Sequence, residues 1–514
     1  MVRIQSHTPT IKAACNYNAE KSPEQVAFRD ATESITWKKL DEYSRDAANG
    51  LLKYAAQGDR IAFLCESSVS YIVALIGAMK VGCIVSNLHT KTSTTLLEHC
   101  ITQLQPKVLI VDKQFTEQVD QLSNEALQGV ATVITIGESD QECSLEALYG
   151  TGSTEEPDVS LDGDDPAFIW WTSGSTGRPK GWCHTHWSLY IKGMKAIGRT
   201  GIDPNSRSLT SLSPSFGAWT NILLRTVIGC ESAHFMRDWD PEQWLQTVDE
   251  SNITHSGMVV TMWKDVLDQD LSRYDLTTLD MIYTTGEKID TETLSQLRQQ
   301  ICENIYQTYG STEMTGTTLY NDQMKGDRIK SIGKPQMGTE LRIIEEDGAP
   351  EDKLEPGEVG EIIIRGPDVP AWAWRDSKRT RETFRNGWWY SKDLGYKDEE
   401  GYVYLEGRAD SMIKSMGMKM MPAPIESVLT EHPSVEEAVV VGVNDEKYGE
   451  RVTAVIQTQQ QNLTAEDLND WCLESNALAD HKRPRSYHFI DEVEKTSSGK
   501  VDRNATREKI HTDE

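Results

Sequence analysis

Short apolar runs recur along the chain at the spacing of alternating strands and helices. Ile61-Ala62-Phe63-Leu64, Val108-Leu109-Ile110-Val111 and Val133-Ile134-Thr135-Ile136 have the length and composition of buried strands. Ile169-Trp170-Trp171 is another such run. Residues 70–79 predict a helix. The apolar stretch 71–81 is interrupted by Gly77 and Lys80, falls short of the ~18 residues of a membrane span, and reads as a core helix. Residues 22–55 carry helix and strand signals around Ile35-Thr36-Trp37. Strands alternating with helices predict an α/β fold with a mostly parallel sheet. Residues 155–165 are acidic and punctuated by Pro157 and Gly163, the pattern of a linker leading into the strand at 169.

The texture changes from residue 341. Leu341-Arg342-Ile343-Ile344 and Glu361-Ile362-Ile363-Ile364 are strand-like and separated by Gly348 and Pro356-Gly357. They predict an antiparallel, barrel-like β subdomain. A second boundary falls near Gly407-Arg408-Ala409-Asp410. Beyond it lies a unit of about a hundred residues, an ordinary domain size, with its own strands at 439–441 and 453–456. The expected organisation is therefore a large N-terminal domain, 1–406, and a small α+β domain, 411–514.

Charge narrows the partners. The 514 residues contain 52 Lys and Arg against 80 Asp and Glu, a net charge of −28. A general binder of nucleic acid or of anionic membranes is expected to carry the opposite sign. No stable membrane insertion is expected. The nine cysteines include no C-x-x-C pair and are odd in number, which argues against a zinc site and a disulfide framework. Reduced thiols, and an N-terminus without a signal-peptide apolar core, predict a cytoplasmic protein.

The densest chemistry is Thr172-Ser173-Gly174-Ser175-Thr176-Gly177-Arg178-Pro179-Lys180-Gly181. Three glycines and four hydroxyl residues fall within ten positions. Glycines let backbone N–H groups approach a ligand, hydroxyls add donors, and Lys180 adds a point charge for phosphate oxygens. The spacing is not that of the common P-loop, and composition alone fits a flexible loop as well. The run resembles the phosphate loop of the adenylate-forming superfamily, which comprises acyl-CoA synthetases, carrier-protein adenylation domains and luciferases. Thr185-His186 matches the Thr-His that follows in that family.

Four further motifs appear in family order. Tyr309-Gly310-Ser311-Thr312-Glu313 matches Y-G-x-T-E; taken alone it is also a helix-capping turn. The resemblance implies that Thr312 contacts the α-phosphate and Glu313 binds Mg²⁺, a hard cation suited to oxygen. Gln307, Tyr309 and Thr285-Gly286-Glu287 would line the adenine. Gly387 to Gly395 matches a motif whose acid, Asp393 here, would accept the ribose hydroxyls. Gly407 to Gly417 implies a hinge at 407–410: Arg408 approaches the nucleotide, Asp410 is the pivot, and Gly417 leaves room for a pantetheine arm. Ser411 stands where many members carry a second Asp, and Pro424 varies the segment that follows. Lys495 to Arg503 resembles the lysine signature, with Glu494 replacing a proline. Lys500 aligns with the lysine that offsets the charge of the reacting carboxylate and α-phosphate.

The resemblance implies an ATP-dependent acid–thiol ligase whose mobile small domain rotates between two half-reactions. A carboxylate attacks the α-phosphorus of ATP with Mg²⁺, and pyrophosphate leaves from Thr172, Ser173, Thr176 and Lys180. Coenzyme A then displaces AMP. Two alternatives are a stand-alone adenylation enzyme loading a carrier protein and a non-catalytic binding protein of the same fold. A homodimer is compatible with the resemblance. The acid pocket is expected among Phe216, Gly217, Trp219, Met258, Gly286 and Met314. Gly217 takes the place of the usual gating histidine. Trp and Met are also ordinary core residues. A small aromatic or a short-to-medium aliphatic acid is the expected substrate.

Overall fold

The structure is a computed structural model that describes residues 9–137, 153–172, 178–286, 289–314, 316–321, 326–369, 372–416, 418–460, 462–475, 478, 482–495 and 501–512. The chain forms two compact units. One comprises residues 1–340 with 365–387, the other 341–364 with 388–514.

The first unit holds two sheets. In one, β1 (Arg60–Leu64), β2 (Ile84–Asn87), β3 (Val108–Asp112), β4 (Thr132–Ile136) and β5 (Pro166–Thr172) run parallel in the order β5-β2-β1-β3-β4. β6 (Lys180–Thr185) turns back antiparallel to β5. Strands covered on both faces read as continuous apolar runs, which is why 61–64, 108–111 and 133–136 were legible. Residues 153–165 carry no element, as the linker reading expects.

The expected core helix is α1 (Val69–Lys80), in which every residue but Ser70 is buried. Ser68 caps it by accepting from Tyr71 N–H at 3.1 Å. At Gly77 a Cβ would meet Ser44 O at 2.9 Å, so glycine lets the neighbouring helix Trp37–Leu51 approach closely. Lys80 does not interrupt burial. It is fully buried and ion-paired with Asp41, as a charge inside a core must be.

In the second sheet, β7 (Arg207–Thr210), β8 (Ser232–Phe235), β9 (His255–Val259), β10 (Met281–Thr285) and β11 (Ile305–Ser311) run parallel in the order β8-β7-β9-β10-β11. β12 (Gly316–Asn321) and β13 (Ser331–Pro335) continue it antiparallel. Parallel pairing places the carboxyl ends of β7, β9, β10 and β11 along one edge. Two helices matter for the site: α2 (His186–Thr200), directly after β6, and α3 (Gly217–Gly229). The α2 residues Lys192 and Lys195 are buried and share Asp368, at 3.4 and 2.8 Å. Burial pushes the Lys192 ammonium down to about 8 despite that carboxylate.

The second unit opens with the antiparallel sheet expected after residue 341: β14 (Glu340–Ile344), β15 (Gly360–Arg365), β16 (Trp388–Lys397) and β17 (Val403–Arg408), in that order. A separate sheet follows. It contains β18 (Ile413–Ser415), β19 (Met418–Met420), β20 (Glu437–Asp445), β21 (Gly449–Gln457) and β22 (Ser486–Ile490). Helix α4 (Pro422–Thr430) packs on it through Ile425 and Leu429. Pro424 lies in the first turn of α4, where the missing N–H has no intrahelical acceptor to lose. No described helix is long and apolar enough to cross a membrane.

Candidate active site

Two antiparallel strands bracket the glycine- and hydroxyl-rich run. Thr172 ends β5 and Lys180 begins β6, paired opposite one another. The Thr172 hydroxyl donates to Lys180 O at 3.5 Å. Ser173, Gly174, Ser175, Thr176 and Gly177 lie outside the described residues. The stem is rigid for a local reason. The Phe168 and Trp170 rings stack at 3.8 Å, and the Trp171 indole N–H donates to Ser86 Oγ at 2.9 Å.

Gly286, Thr312 and Glu313 follow directly on the carboxyl ends of the parallel strands β10 and β11, and Gln307 and Tyr309 lie on β11 itself. Gly286 adopts φ +91°, a left-handed conformation that favours glycine, just as β10 ends. Gln307 is buried on β11, opposite Thr284. Thr312 and Glu313 stand half-buried in a short 3₁₀ turn closing β11. Glu287 lies outside the described residues.

His184 joins the hairpin to this edge. It sits on β6, stacks edge-on against Trp170 at 4.7 Å, and is hydrogen-bonded to the Thr312 backbone. Burial pushes its imidazole down to about 3, so it is neutral at physiological pH and ties the two segments without adding charge. The motifs give His184 no role. A histidine within an apolar strand has no sequence signature separating a tether from a core residue.

The expected acid-pocket residues divide. Phe216 and Gly217, at the start of α3, are half-exposed. Trp219 is fully buried, with Phe235 stacked at 6.0 Å and Tyr71 tilted at 5.7 Å. Met258 and Met314 are also fully buried. Trp219 and Met258 pack within hydrophobic clusters, a placement that suits a core residue and a pocket wall alike.

In the second unit, Asp393 and Arg408 face each other across β16 and β17, with Arg408 Nη1 and Asp393 Oδ1 3.1 Å apart. Arg408 also pairs with Asp410 through Nε, at 3.1 Å, and Nη2, at 3.3 Å. Asp393 is nearly buried, and its N–H donates to Ser391 Oγ at 2.9 Å. Gly417 and Lys500 lie outside the described residues, but the stem of the Lys500 segment is fixed. Lys495 bridges Val501, Asp502 N–H donates to Glu494 O at 2.7 Å, and Arg503 clamps Glu426 and donates to Val440 O at 3.0 Å. Arg503 thus has a role in holding the lysine segment that its place in the motif did not disclose.

Family models match most of the chain. The model of the AMP-binding enzyme matches residues 15–370, and that of the AMP-binding enzyme C-terminal domain matches residues 424–500. The chain belongs to this family: it is an adenylate-forming enzyme of the acyl-CoA synthetase type. A feruloyl-CoA synthase from Amycolatopsis sp is 29% identical to it, over 96% of this chain and 97% of that protein. A mitochondrial acyl-coenzyme A synthetase from Mus musculus is 28% identical, over 93% and 85%. Among solved structures, the o-succinylbenzoate CoA synthetase from Bacillus subtilis, in complex with its acyl-adenylate intermediate, superposes with a TM-score of 0.85 at 25% identity, over 96% and 97%. ATP-bound MatB from Rhodopseudomonas palustris shares the fold, with a TM-score of 0.88 at 24% identity over 98% and 99%.

Proposed function

We propose that this enzyme is an AMP-forming carboxylic acid–CoA ligase. The acid's carboxylate oxygen attacks the α-phosphorus of ATP, expelling pyrophosphate and leaving an acyl-adenylate. The thiolate of coenzyme A then attacks the acyl carbon, and AMP departs with the electrons of the broken C–O bond. The observation that carries this reading is the edge where Gly286, Gln307, Tyr309, Thr312 and Glu313 gather, with the Thr172–Lys180 hairpin tethered to it through His184. Ligands of open parallel sheets bind outside the carboxyl ends of the strands.

The residue roles follow from motif position. Thr172, Lys180 and residues 173–177 hold the β- and γ-phosphates, and Thr312 holds the α-phosphate. Gly286, Glu287, Gln307 and Tyr309 line the adenine. Asp393 accepts the ribose hydroxyls, with Arg408 beside it. Lys500 offsets the charge of the two reacting anions, Asp410 is the pivot, and Gly417 admits the pantetheine arm. Mg²⁺ would be held by Glu313 together with the nucleotide's own phosphates, where it neutralises their charge. One carboxylate plus phosphates is a normal Mg²⁺ set, and the described residues contain no cluster of three or more His, Cys, Asp and Glu able to build a separate protein cage.

The acid is carried in a slot beginning at Phe216 and Gly217, and is a small aromatic or short-to-medium aliphatic one. A cytoplasmic location is supported by the eight described cysteines, all free and buried, with burial pushing Cys15, Cys83 and Cys100 up to about 12.

The test is direct. The purified protein is incubated with ATP, Mg²⁺, coenzyme A and a panel of carboxylic acids, and AMP, pyrophosphate and acyl-CoA are quantified. Equimolar AMP and acyl-CoA are expected. Thioester formed only on a holo-carrier protein, and never on coenzyme A, refutes the ligase reading.

A further inference from the structure

The acid slot proposed above would have its floor where β9 pairs with β10. Tyr283 on β10 lies directly opposite Gly257 on β9. A Cβ at residue 257 would come within 1.8 Å of Tyr283 Cζ, so the ring lies across the neighbouring strand and only glycine leaves it room. The Arg225 guanidinium stands 5.7 Å from the centroid of that buried ring. Arg225 belongs to α3, and Asn221 and Gly217 precede it at intervals of four on the same face. Gly217 and Arg225 are eight residues apart on the helix, a span of about 12 Å. An aromatic ring with one substituent matches that span, and a long acyl chain exceeds it.

The floor is polar but carries no net charge. Glu231 stands 3.4 Å from Arg225 Nε, and both side chains are buried. Arg225 donates to Ser208 Oγ at 2.8 Å, and that hydroxyl donates to Glu231 Oε2 at 2.7 Å. A second carboxylate at the far end of the acid would therefore meet a cation already neutralised. The Tyr283 hydroxyl, by contrast, has no hydrogen-bond partner among the described residues. Leaving such a buried group unsatisfied is destabilising, a penalty that a ligand atom can remove.

We propose that Tyr283 determines which acid is accepted: its ring closes the slot, and its hydroxyl hydrogen-bonds an uncharged oxygen or nitrogen at the far end of an aromatic acid. This rests on the acid–CoA ligase reading. It separates this chain from enzymes built for dicarboxylates and for long aliphatic acids.

The experiment measures kcat/KM for acid-dependent AMP formation with ATP and coenzyme A. The acids are 4-hydroxycinnamate, cinnamate, 4-carboxycinnamate and decanoate; the proteins are wild type, Tyr283→Phe and Tyr283→Ala. Wild type should favour the hydroxy acid over cinnamate by about tenfold or more, and should discriminate against both the dicarboxylate and decanoate. Tyr283→Phe keeps the shape, so it should fold, and its hydroxy-to-unsubstituted ratio should fall towards one. Tyr283→Ala should gain decanoate. An unchanged ratio in Tyr283→Phe, or a wild type that prefers the dicarboxylate or decanoate, overturns the inference while leaving the ligase reading intact. A wild type that forms no AMP with any acid of this set or of the wider panel overturns both.

Discussion

Replacing Asp368 by asparagine would leave two lysines in the interior of the first unit without their shared carboxylate. Lys192 and Lys195 project from α2, the helix that continues β6, and both contact Asp368. Lys195 also reaches Thr339 Oγ1 at 2.5 Å, which can accept but cannot neutralise. Removing one partner of a buried ion pair costs about 3–5 kcal/mol, because the remaining charge stays buried. The pH dependence sharpens the test. The Lys192 ammonium is held near 8 in the folded chain by burial, against an ordinary value of 10.5. Between those values the unfolded chain binds more protons than the folded one, so this group's contribution to stability rises with pH through that window. Once Lys192 is neutral it has less need of a counter-charge. The loss caused by Asp368→Asn should therefore be largest near pH 7 and narrow towards pH 10. Subtracting the variant from wild type cancels the titration of the cysteine thiols, which both proteins share. The assay is urea unfolding followed by tryptophan fluorescence at several pH values. A loss below about 1 kcal/mol at neutral pH, or a loss independent of pH, would refute the argument.

The remaining predictions concern the reaction. Glu313→Gln keeps the shape of the side chain and removes its charge, so the Mg²⁺ concentration for half-maximal rate should rise several-fold in a metal titration; an unmoved midpoint excludes Glu313 as a ligand. Lys500→Ala should abolish acyl-adenylate formation yet still convert supplied acyl-adenylate and coenzyme A to thioester, and equal loss of both steps removes the alternation of domains. Asp410→Pro fixes φ near roughly −65°; it should retain acid-dependent pyrophosphate exchange and form thioester slowly, and near wild-type thioester synthesis in a folded variant means that residue 410 is not the pivot.

What could be read from the sequence was whatever is local. The buried strands 61–64, 108–111 and 133–136 declare themselves because both faces of a parallel strand are covered, so the apolar run is unbroken. The motifs declare themselves because phosphate and metal chemistry needs particular residues at fixed spacing. Long-range partners were not legible. Nothing near Lys192 announces Asp368, which lies far along the chain. Nothing near Tyr283 announces that Gly257 exists to make room for its ring. Arg225 and Glu231 are close in sequence, yet a charged pair at that spacing reads equally well as a solvated helix end. Trp219 and Met258 lie in buried clusters, and composition cannot distinguish a core from a pocket wall.

Arg408 is divided between two carboxylates, Asp393, proposed for the ribose, and Asp410, the proposed pivot. Its side chain is half exposed, and each such pair contributes no more than about 1 kcal/mol. The arrangement is a clasp weak enough for thermal motion to open. A ribose that takes up Asp393 competes directly with one half of it. Nucleotide occupancy would then be felt at residue 410 as a change in how strongly Arg408 grips, so loading the site and freeing the corner become one event. Added salt, which screens exposed pairs, should loosen that coupling before it touches the chemistry.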